Sequence, residues 1–241
     1  MRIKIKYSFL ALLFLLIASC SKPDSPSTIQ FRFKHTVDTF QLEQYDYYQN
    51  AANNNYNVVR LRYFISKMQL VDSYGDTVSL GAVHFVDIDK TETLSIAAQS
   101  IPNRKYKKLC FTIGLNEELN VHNAYLNESY HSAMLWPDIM GGGYHYMKLE
   151  GFYDVADDSR SYNLHTGKLD DNHNYIPLVF DADFSASGSD VVVDLNMDVN
   201  QWFANPNLYN LEEQPASIMG NLVIQHMLKE NAHNVFTISY E

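Results

Sequence analysis

Apolar and polar residues alternate with period two along most of this chain, the mark of half-buried β-strands. In "TIQFRFKHTV" (residues 28–37) Ile29, Phe31, Phe33, His35 and Val37 share one face. "NVVRLRYFI" alternates Val59, Leu61, Tyr63 and Ile65; Met68 and Leu70 then change parity, which predicts a bulge near Ser66. Residues 72–76, "DSYGD", read as a turn, and "TVSLGAVHFVDI" as one or two strands interrupted at Gly81. "KLCFTIGL" points Leu109, Phe111 and Ile113 one way and Cys110 the other. "YHYMKLEGFYDV" and "NYIPLVFDADF" read as further strands. In "DVVVDLNMDVNQWF", Val191, Val193, Leu195, Met197 and Val199 alternate with polar residues. Helical spacing occurs only in "PASIMGNLVIQHMLKEN", where Ile218, Leu222 and Met227 fall on one stripe and Asn231 is placed to cap it. Eight or more short strands and one short C-terminal helix predict an all-β fold, an antiparallel β-sandwich.

The N-terminus changes the picture from a plain domain to an exported one. Arg2, Lys4 and Lys6 precede the apolar run "FLALLFLLIA", which is short for a membrane span, and Ile17-Ala18-Ser19 lead into Cys20. That arrangement resembles a bacterial lipobox. Residues 1–19 are then a lipoprotein signal peptide, Cys20 the lipidated residue, residues 20–27 a tether and residues 28–241 one domain. The expected location is the cell envelope, lipid-anchored at the outer membrane and facing the periplasm. With Cys20 used, Cys110 is the remaining thiol, so no internal disulfide is expected. The formal net charge is −10, and the leader is basic, so the mature chain is more acidic still. This argues against nucleic acid as a partner.

The chain has no G-x-S-x-G, H-E-x-x-H or C-x-x-C, and "GGG" at residues 141–143 lacks the Lys-Ser/Thr of a P-loop. No nucleophile–base pair stands out, so an enzyme is not expected. The nine histidines carry more information. His35 shares a face with Phe31 and Phe33, and a buried imidazole needs a partner, which a metal can supply. His145 follows the glycine run, and His165 sits at a strand end in "YNLHTG". Single imidazoles from separate strands suit copper if they converge. Met134, Met140 and Met147 read either as thioether ligands or as gap-filling core.

Several stretches together carry a resemblance: "NVVRLRYFISKMQLVDSYGD", "LCFTIGLNEELN", "MLWPDIMGGGYHYMKLEG", "YNLHTG", "MDVNQWFANPNLY" and "SIMGNLVIQHMLKENAHNVFTI". The sequence resembles the MbnP-like copper-binding proteins associated with methanobactin operons, in their lipoprotein branch. The resemblance implies a sandwich that holds one copper ion, Cu+ or Cu2+, through histidines. It also implies a tryptophan oxidised to kynurenine by a di-haem enzyme resembling cytochrome c peroxidase. Carried over by position, Trp136 is that tryptophan, His165 a ligand, His35 and His145 further candidates, and His131 a substitute. The sequence departs from better-studied members by lacking their cysteine pairs and by placing "PDIMGGG" between Met-x-Trp and Gly-Tyr; both departures bear on the kynurenine step more than on the fold. The competing reading is an interaction or carbohydrate-binding sandwich without a metal, for which the seventeen tyrosines speak.

Overall fold

A computed structural model describes residues 26–188 and 190–241; Cys20 and the signal segment lie outside the described residues. In chain order the strands are β1 (Ser27–Val37), β2 (Phe40–Gln41), β3 (Tyr47–Gln49), β4 (Asn55–Asn57), β5 (Arg60–Asp72), β6 (Thr77–Asp87), β7 (Ser95–Ile101) and β8 (Lys105–Ile113). There follow β9 (Met147–Val155), β10 (Asp158–Thr166), β11 (Ile176–Ser185), β12 (Val191–Asp198) and β13 (Phe236–Tyr240). One turn of helix, α1 (His131–Met134), precedes β9, and α2 (Leu222–Asn231) precedes β13.

The strands form two sheets. The smaller runs β13-β12-β1-β2, with β7 also on β1; the larger runs β11-β8-β5-β9-β4-β3, with β10 on β9 and β6 on β5. Pairing is antiparallel apart from β1 and β12, which run parallel from Ile29↔Val191 to Thr36↔Asp198. Alternation alone does not distinguish a parallel partner, because both strands bury one face and the chain between them is long enough to cross over. The alternating residues of β1 and β12 point inward as expected: Ile29, Phe31, Phe33, Val193, Leu195 and Met197 are all buried. The bulge falls at Lys67, where φ is +50° and the register against β8 shifts between Ser66 and Gln69. The turn at 72–76 closes on the Asp72 carboxylate, which accepts the N–H groups of Tyr74 and Asp76. Around Gly81, β6 is one strand whose pairing with β5 is irregular.

The helix differs from its expected form. It starts only after Asn221, whose side chain accepts the Ile224 N–H as an N-cap, so Ile218 is buried ahead of the helix. The inward stripe is Ile224, Gln225, Leu228 and Asn231. Asn231 caps nothing; its amide donates to the carbonyls of Trp202 and Asn207.

Two cores lie on either side of the larger sheet. The main one, between the sheets, takes Leu61, Tyr63 and Ile65 from β5. The second takes Phe64 from the opposite face of the same strand and packs it with Phe85, Leu115, Met134, Tyr144 and Tyr146. The long connection between β8 and β9 therefore roofs the outside of the larger sheet.

Candidate metal centre

The segment that ends this roof is fixed by its backbone. Gly141, Gly142 and Gly143 all have positive φ, which non-glycine residues rarely adopt, and the run folds the chain back on itself. Trp136 N–H donates to the Gly143 carbonyl at 2.9 Å, and Leu135 and Tyr144 form a β-bridge. Tyr144 and Tyr146 then turn into the second core, and His145, between them, turns the other way.

His145 meets Trp136 edge to face, with ring centroids 4.7 Å apart. On its other side it meets His165 at 5.1 Å, the rings nearly perpendicular. His165 stands on β10 opposite Lys148 of β9, which in turn pairs with Arg62 of β5. That row lies on the outer face of the larger sheet, beneath the roof. Trp136 is fully buried against Gly167, where an added Cβ would come within 2.7 Å of the indole. Its Nε1–H donates to the Met140 carbonyl.

The hydrogen bonds define the nitrogens. Both the backbone N–H and Nδ1 of His145 lie on the Met134 carbonyl, at 2.7 and 3.1 Å. Since a carbonyl only accepts, Nδ1 carries the proton and Nε2 presents a lone pair. That Nε2 is buried and has no hydrogen-bond partner. Burial, with the neighbouring His165 and Lys148 charges, lowers the His145 pKa to about 3, so the ring stays neutral. His165 Nε2 is 2.8 Å from Glu150 Oε1. Burial raises the Glu150 pKa, but His165, Arg60 and Lys148 outweigh it and bring the carboxyl to about 2. An orphaned imidazole nitrogen beside a second imidazole fits a late first-row cation that accepts nitrogen donors.

The other sequence candidates lie elsewhere. His35 sits between the sheets with its Nε2 3.0 Å from the Tyr63 hydroxyl, and burial lowers its pKa to about 4. Tyr63 and Arg62 are consecutive on β5 and point to opposite faces, so the larger sheet separates His35 from His165. The pattern of β1 put His35 inward correctly, but strand alternation cannot say which sheet face another histidine occupies. His131 bonds the Tyr144 hydroxyl through Nδ1 at 3.0 Å, at the edge of the second core. Met134 and Met147 are core residues of the second and main clusters. Among the described residues no three or more His, Cys, Asp or Glu side chains form a metal cluster. The centre is thus a pair of imidazoles beside an indole. Glu150, inside "KLEG", was not singled out by the sequence; its signal was a lone acid on the outer face, two positions from Lys148.

A β-sandwich with an imidazole pair mounted on the outside of one sheet, under a tryptophan-bearing roof, is the class of protein these features define. The MbnP family model matches residues 26–220, and the chain belongs to the MbnP family. Among solved structures it is similar to MbnP from Methylosinus trichosporium, with a TM-score of 0.56 and 12% identity, over 88% of this chain and 98% of that one. At that identity the likeness is one of fold. No curated protein sequence matches this chain.

Proposed function

We propose that the protein binds a copper ion through His145 and His165, beside Trp136, and serves in metal acquisition or handling rather than in catalysis. The observation that supports this most directly is the buried, unpartnered Nε2 of His145, on a ring that lies next to a second imidazole. When bound, copper would supply redox chemistry at the imidazole pair, of which His145 packs against the indole. The chain's part is to hold two imidazole nitrogen donors and keep water from Trp136, which is fully buried. On this reading the protein is an envelope lipoprotein held to the outer membrane by lipid on Cys20, and a di-haem peroxidase-like enzyme oxidises Trp136 to kynurenine.

Metal analysis and intact mass of the protein purified from its native envelope test this. The expected result is one copper ion per chain. A mass change on the Trp136 peptide equal to the loss of one carbon and gain of one oxygen would support the oxidation as well. Copper with unaltered Trp136 would leave a histidine binder alone, and a chain that takes up no copper when it is supplied would sink the metal reading. One feature favours the carbohydrate or interaction reading instead: a groove of about 460 Å³ lined by Val37, Asp38, Phe40, Tyr47, Tyr48 and Gln49, with Phe40 69% exposed. Retention on a glycan array by metal-free protein, lost in Phe40→Ala, would speak for it.

A further inference from the structure

His165 stands on β10, the last named strand on this side of the sheet, which pairs with β9 and on its other edge is bridged only at Asn163 by Ser217; its imidazole projects from the outer face of the sheet. Nothing in a β-strand fixes how such a ring turns about its Cβ–Cγ bond or which nitrogen carries its proton. Here one side chain does both. Glu150 lies on β9, diagonal to His165 across the β9–β10 ladder, and its Oε1 is 2.8 Å from His165 Nε2. Its other oxygen, Oε2, is held by the Arg60 guanidinium from β5. Lys148 Nζ is 3.7 Å from Oε1 and also donates to the Ala133 carbonyl in the roof. Both carboxylate oxygens are therefore committed to protein partners, and Glu150 is not free to be a ligand itself.

We propose that Glu150 is a positioning residue for the metal centre: its carboxylate accepts the Nε2–H of His165 and leaves Nδ1 as the donor nitrogen. The inference rests on the metal-site reading above. It makes the two ligands unlike each other, since His145 is anchored through Nδ1 by the Met134 carbonyl and offers Nε2. The anion at Nε2 also makes the His165 ring a stronger donor than a carbonyl-bonded imidazole. Arg60 and Lys148 hold the carboxylate on the sheet, so the ring orientation is set from the rigid wall rather than from the roof.

The test starts on metal-free wild-type protein, where imidazole nitrogen shifts, assigned by their loss in His165→Ala, read the tautomer directly. The Nε2–H form is expected for His165; the Nδ1–H form would overturn the proposal without any further variant. Cuprous ion is then titrated under reducing conditions against a chromophoric chelator. Glu150→Gln and Glu150→Ala should weaken binding by about 10–100-fold, as loss of an outer carboxylate does at other metal sites. Glu150→Ala should also give mixed tautomers at His165. Affinity lost in His145→Ala and His165→Ala but unchanged in folded Glu150→Gln and Glu150→Ala would defeat the role of Glu150 alone. Affinity that survives both histidine variants would defeat the site reading, and this inference with it.

Discussion

At the residue scale, the centre depends on one missing side chain as much as on those present. The indole of Trp136 occupies the space a Cβ on Gly167 would need. Gly167→Ala should therefore shift Trp136 and cost about 1–3 kcal/mol, as other overpacking substitutions do. The shift would appear as altered tryptophan fluorescence together with a lower urea midpoint; an unchanged spectrum at wild-type stability would show that the ring is not held there. In the sequence, "HTG" offered His165 as a ligand and its glycine only as the close of a strand, because the contact that demands glycine comes from a residue far along the chain. His35 makes a separate prediction. Its pKa is lowered from 6.5 to about 4 by burial, so the unfolded chain takes up a proton there before the folded one does. The stabilisation is full above pH 6.5 and is lost as pH falls toward 4, amounting to about 3 kcal/mol for a shift of this size. Urea melts at pH 7 and pH 4.5 should show a smaller acid loss in His35→Gln than in the parent, measured without metal. Equal losses in the two proteins would mean that His35 is not the group that titrates.

At the element scale, α2 acts on the site through Gln225. Its Oε1 accepts from Gly167 N–H and from the Asn174 amide, and its Nε2–H donates to the Met219 carbonyl, all in a fully buried position. The helix thereby grips the turn that follows His165. Gln225→Leu would leave the Gly167 N–H buried and unpaired, at about 1–3 kcal/mol. Hydrogen exchange at the Gly167 amide should rise in that variant more than exchange in β1 or β12, whereas a uniform rise would point to general destabilisation. The strands were the most legible elements: β1, β8 and β12 bury the alternating sets their sequences announce. The helix was legible in type but not in extent. Its apolar residues continue upstream to Ile218, and the start is set by Asn221, whose capping bond to Ile224 the apolar stripe does not reveal. Gln225 on the inward stripe was also hidden, since a polar residue there looks like an exposed one until its partners are seen.

At the scale of the whole molecule, the architecture and the family were readable, because both rest on patterns spread over the entire chain. The convergence of particular histidines was not. His145 and His165 meet because the chain after β8 covers the outer face of the larger sheet, and His35 is kept away because it lies beyond that sheet. Both facts depend on which face of β5 each neighbour uses. The second core escaped notice for the same reason: Phe64 sits between two residues of the main core, and a continuous apolar run does not say that it serves two interiors.

That division has an evolutionary reading. One imidazole comes from the covering segment and the other, with its carboxylate, from the sheet, and each part is held by its own core. Drift in the covering segment can change the space around the indole, or which side chain stands beside it, while the sandwich that gives the protein its persistence goes on unaltered. Selection can thus retune what the pair of imidazoles accepts without renegotiating the fold, and divergence within the family should gather on the covering segment rather than beneath it.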